Sequence, residues 1–123
     1  MVYKKFKIPL YYGSLHIAIC DDVEKEIEDV RKKFYVNTDE YNFAGYSEAT
    51  ENHYLVLINK KHLTTEEFAI GTLAHEAFHV SSFIMKRVGI KADVNNDEAQ
   101  AYLLSWIIEQ TYKLFKTTTN GTV

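Results

Sequence analysis

Leu73-Ala74-His75-Glu76-Ala77-Phe78-His79-Val80 lies near the middle of the chain and contains the pattern His-Glu-x-x-His. On a helix, residues four apart stand one turn above each other on one face, so the imidazoles of His75 and His79 can grip a single zinc ion while Glu76 projects beside its open coordination position. That is the layout of a metal-activated water with its own general base. From Phe68 to Met85, Glu76 is the only Asp, Glu, Lys or Arg, and most of the rest is Ala, Ile, Leu, Phe, Val and Met. Such a helix is expected to be buried on nearly every side. A carboxylate and two imidazoles buried there call for a divalent cation as partner.

A catalytic zinc takes three protein ligands and keeps one position open. The third donor is sought in Val94-Asn95-Asn96-Asp97-Glu98-Ala99-Gln100-Ala101-Tyr102-Leu103, beyond a loop marked by Gly89 and the polar run Asp93 to Asp97. Asn95, Asn96 and Asp97 are N-cap types, and Ala101, Leu103, Leu104, Ile107, Ile108, Leu114 and Phe115 follow at helical spacing. A helix folding back antiparallel after a short loop brings its first turn toward the metal face of the previous one. Glu98 is therefore the expected third ligand, with Asp97 as its rival. Tyr102, one turn beyond Glu98, is expected over the same site.

His75-Glu76-x-x-His79 followed by Asp97-Glu98-Ala99-Gln100-Ala101-Tyr102 resembles the zincin metallopeptidases whose third ligand is glutamate, the gluzincins. It looks especially like the minimal zincin-like proteins of phages and prophages, and the small peptidases that cleave phage repressors. The resemblance covers residues 64 to 115. It implies His75, His79 and Glu98 as metal ligands and Glu76 as general base. It also implies a minimal core in which an edge strand beside the site, here from Ala44 to Asn59, pairs with an extended substrate. Larger gluzincins orient the first histidine with an Asp four residues after the third ligand; this chain has Tyr102 there.

The rest of the chain is expected to form one α+β domain over residues 1–115, a small twisted sheet packed on the central helix, with a polar flexible tail at 116–123. Residues 3–12 and 15–20 flank Gly13-Ser14, a hairpin signal, and residues 21–35 carry the helical stripe Val23, Ile27, Val30 and Phe34. Two further strands are expected at 44–50 and 54–59 around Glu51-Asn52-His53. Thr64 with Glu67 forms a capping-box signal for the central helix. The resulting order β-β-α-β-β-α-α argues for the α+β class.

Composition narrows the function. The chain has 123 residues, a formal charge of −3 and scattered basic residues, which gives no footprint for nucleic acid. No stretch reads as a signal peptide or as a membrane span, so a cytoplasmic location is expected, in the host cytoplasm or a virion if the chain is phage-encoded. Cys20 is the sole cysteine and reads as a buried thiol. The expected activity is zinc-dependent peptide hydrolysis on a narrow range of peptide or protein substrates. Zn2+ would acidify a water, Glu76 would take the proton and return it to the leaving amine, and a donor would steady the oxyanion. Tyr102 is assigned beside Glu76 in the catalytic set, with Tyr46, Tyr54, His53 and His62 as further oxyanion candidates. The alternative is a zincin fold kept as a binding or structural module without peptidase activity.

Overall fold

The computed structural model describes residues 1–119, so that residues 120–123 of the expected tail lie outside the described residues. The elements are β1 (Val2–Lys7), β2 (Ser14–Cys20), α1 (Val23–Arg31), β3 (Gly45–Thr50), β4 (His53–Asn59), α2 (Glu66–Arg87) and α3 (Glu98–Thr119), with a 3-10 turn at Lys60–His62. This is an α+β fold with a four-stranded mixed sheet in the order β1-β2-β4-β3. The outer pairs β1/β2 and β3/β4 are antiparallel, and the central pair β2/β4 is parallel. α3 carries on to Thr119, so residues 116–119 are helical where a flexible tail was expected.

Both faces of the sheet are covered, which explains why the central strands read as unbroken apolar runs. On one face Ala18, Cys20, Leu55 and Leu57 pack against Val23, Ile27 and Val30 of α1 and against Phe34 and Val36 beyond it. On the other, Leu15, Ile17, Ile19, Val56 and Ile58 meet Leu73, Ala77, Val80 and Ile84 of α2 and Leu103, Ile107 and Phe115 of α3. Fully burying each such aliphatic side chain contributes about 1.5–3 kcal/mol. α2 lies over the β3/β4 half and α3 over the β1/β2 half. α2 is not buried all round: Phe68, Ile70 and Phe78 are about half exposed, because sheet and α3 together cover only part of its circumference.

Two local signals are displaced. The N-cap of α2 is Thr65, whose hydroxyl accepts from Phe68 N at 3.0 Å, one residue later than the Thr64–Glu67 box implies. Glu66 and Glu67 then occupy the first turn, where the helix dipole favours negative charge. The β1–β2 connection is a loop from Ile8 to Gly13 closed by Ile8 N donating to Gly13 O at 3.1 Å, and not a two-residue hairpin.

Gly13 pins that loop to the turn between β3 and β4. It has φ +130°, and a Cβ there would stand 2.4 Å from Asn52 O, which also accepts from Ser14 N at 2.9 Å. Gly13→Ala is expected to destabilise the fold by about 1–3 kcal/mol, since both its backbone angle and its contact oppose a side chain. Urea denaturation checks this; an unchanged midpoint would mean the two loops part freely.

Candidate metal centre

His75 and His79 stand on the solvent side of α2. Their Nε2 atoms are 3.1 Å apart and their rings meet edge to face at 4.7 Å between centroids. The contact has hydrogen-bond length, and the separation also matches the roughly 3.3 Å between two imidazole nitrogens on one tetrahedral zinc at Zn–N of about 2.0–2.1 Å. The His75 side chain is 66% exposed, and His79 is exposed as well, its ring stacked on Phe83. The expectation of two buried histidines therefore gives way to a pair open to solvent beside one buried carboxylate.

That carboxylate is Glu76, whose side chain is 8% exposed and turned toward the sheet edge. Ser47 on β3 donates its hydroxyl to Glu76 Oε1 at 2.6 Å, and Glu76 Oε2 lies 3.9 Å from His75 Nε2. One carboxylate oxygen is thus tied to the strand while the other faces the imidazole. Gly45 lets the helix approach this closely: a Cβ on it would fall 2.6 Å from Glu76 Cγ and 2.9 Å from Oε2. A cavity of about 420 Å³ opens beside the carboxylate, lined by Gly45, Gly71, Thr72, His75 and Glu76. β3 is an edge strand, so among the described residues its outward backbone groups have no neighbouring strand.

Gly45 and Ser47 were not singled out by sequence. The signal is the alternation in β3: Gly45, Ser47 and Ala49 are small and face α2, while Tyr46, Glu48 and Thr50 are larger and face α1. Gly45→Ala is expected to displace the Glu76 side chain and to cost about 1–3 kcal/mol by overpacking, read by chemical denaturation. A variant of unchanged stability would show that Glu76 swings aside freely.

Glu98 is the first residue of α3 and is exposed, as is Asp97 before it. Among the described residues no three His, Cys, Asp or Glu side chains converge to hold a metal, so neither joins the histidine pair. The first turn of α3 is nevertheless close to the pair along α2: Gln100 Nε2 donates to Ser81 Oγ at 3.1 Å and to Ser82 Oγ at 3.2 Å, just beyond His79. Tyr102 is 72% exposed and lines a separate apolar cavity of about 290 Å³ with Pro9, Leu10, Tyr11 and Trp106. It does not line the cavity around Glu76.

The other oxyanion candidates are distributed by the pleat. His53 and Tyr46 lie on the α1 face, His53 against His16 and Tyr46 stacked on Phe43, so the sheet separates both from Glu76. Tyr46 keeps its proton to unusually high pH through burial, reinforced by its hydrogen bond to Glu48. Tyr54 is on the α2 face but only 1% exposed, and its hydroxyl is without a hydrogen-bond partner among the described residues. His62 sits in the 3-10 turn before α2. Cys20 is buried, and that burial pushes its thiol up to about 12, which makes it inert as a nucleophile. No helix among the described residues is long and apolar enough to cross a membrane. Comparison with protein-family models, with curated proteins and with solved structures gave no match.

Proposed function

We propose that this chain is a zinc-dependent metallopeptidase of narrow substrate range, built on a minimal zincin-like core with Glu76 as general base. The observation that carries the reading is the convergence of His75 Nε2 and His79 Nε2 at 3.1 Å, with the buried Glu76 carboxylate 3.9 Å from the first. Zinc would be held by His75 and His79, with Glu98 as the proposed third ligand, and would supply Lewis acidity toward a peptide carbonyl and toward a water.

The protein's own groups do the remainder. Ser47 fixes Glu76 Oε1 and leaves Oε2 toward the cavity, where it takes a proton from the attacking water and hands it to the departing amine. The free edge of β3 offers backbone donors and acceptors to an extended peptide, which would lie along the cavity bordered by Gly45 and Gly71. Glu98 would close the ligand set by a movement of the exposed segment 88–97, which follows α2 and leads into α3. The test is zinc-dependent cleavage of polypeptides from the natural host by wild type and its loss in Glu76→Gln.

A second reading is a zincin-like binding module without peptidase activity. Its support is the absence of a converging third donor among the described residues. Equal capture of one partner by wild type and Glu76→Gln, with no cleavage by either, would establish it.

A further inference from the structure

On the α1 face, at the end of the sheet where β2 and β4 begin, the strand register sets Lys5 opposite His16 and Thr50 opposite His53. Lys33, Phe34 and Tyr35, just past α1, close over them to leave a cavity of about 270 Å³. No Asp or Glu lines it, although the chain as a whole is acidic at −3. Among the described residues neither Lys5 nor Lys33 enters an ion pair; Lys33 Nζ rests 5.6 Å above the Tyr3 ring. We infer that this cavity is a binding site for the phosphoryl group of a small phosphate monoester, held by Lys5, Lys33, Thr50 and His53.

A hydrogen-bond chain behind the cavity holds the His53 ring in place. Tyr3 Oη is 2.6 Å from His16 Nδ1, and His16 Nε2 is 2.9 Å from His53 Nδ1. Burial raises the Tyr3 pKa, so the phenol keeps its proton beside His16. His16, only 4% exposed, is held neutral, its pKa lowered to about 4 by burial first and then by His53 and Lys5. A neutral imidazole has one N–H donor and one acceptor nitrogen, so His16 can satisfy both neighbours at once. The chain occupies His53 Nδ1 and leaves Nε2 as the other polar atom of a ring that lines the cavity.

Two ammonium groups, an imidazole and a hydroxyl suit a dianionic oxyanion, and an anion there neutralises lysine charges that no ion pair among the described residues compensates. The cavity, about 270 Å³, is larger than a bare phosphate needs and leaves room for part of an attached body. Tyr35, 64% exposed, offers its ring to that body.

Inorganic phosphate, a nucleoside monophosphate and acetate, each titrated into metal-free protein, test the inference through the side-chain NMR signals of His53 and Lys33. Phosphate and the monoester should move both signals saturably, the monoester at least as tightly as phosphate, and acetate should bind about tenfold more weakly. The double variant Lys5→Gln/Lys33→Gln, two exposed positions, should weaken phosphate by about tenfold or more. His79→Ala should change nothing, because the sheet lies between the two sites. Static signals through the phosphate titration, unaltered affinity in the double variant, or exclusion of the monoester would each overturn the assignment.

Discussion

Glu76→Gln should lower zinc-dependent cleavage by about 10²–10⁴-fold while leaving zinc content and fold intact, the range expected for loss of a general base. The substitution is nearly isosteric, and the amide oxygen of Gln can still accept the Ser47 hydroxyl that now bonds Glu76 Oε1 at 2.6 Å. What it removes is the capacity of the second oxygen to take a proton. Wild-type protein and the variant, each loaded with zinc and incubated with a lysate of the natural host, provide the comparison. Wild type should cut one or a few polypeptides, and a chelator should stop it. Cleavage by Glu76→Gln at the wild-type rate would remove Glu76 from the chemistry. Inertness toward a generic substrate such as casein would not, since an open cavity of about 420 Å³ offers few subsites.

The order of elements and the placement of the histidine pair were legible in the sequence because both depend on short-range spacing. The i, i+4 relation of His75 and His79 needs only a helix, and the helix follows from the apolar density of 68–85. Alternation across the pleat was hidden where both faces are covered: Tyr54-Leu55-Val56-Leu57-Ile58 is apolar throughout, so nothing in it assigns His53 to the α1 face. A shift of one residue reverses every side chain in a strand, and the register alone separates Ser47, which reaches Glu76, from Tyr46, which does not.

The placement of Glu98 and Tyr102, both expected at the histidine pair, was the least legible part, for a different reason. Its position depends on residues 88–97, nearly all exposed and short of apolar contacts, where Asp93 makes a turn by accepting from Asn95 N and Asn96 N. Beyond Ile90, which packs on the core, such a segment has few buried contacts through which its sequence could fix its path. The same lack of anchoring separates the placement of the pair, set by helix geometry, from that of Glu98 and Tyr102, set by where α3 begins.

Purified protein should carry about one equivalent of zinc, and His75→Ala, His79→Ala and Glu98→Ala should each lose most of it. The two histidine variants carry the larger effect and are the cleaner test, because both side chains are exposed and their truncation in metal-free protein should alter stability by no more than about 0.5 kcal/mol. Metal loss without unfolding then reports ligation directly. Zinc-loaded wild type should melt several degrees above the chelated protein, because an ion at about a thousand times its Kd adds about 4 kcal/mol to the native state; the histidine variants should show no such gap. Glu98→Ala addresses the segment as well as the ligand. If Glu98 closes the set, zinc must draw the first turn of α3 toward His79 beyond the reach already given by Gln100 on Ser81 and Ser82. Zinc should therefore raise hydrogen-exchange protection across 88–97 in wild type and fail to do so in Glu98→Ala. Full zinc content in that variant, with the protection intact, would transfer the third position to Asp97.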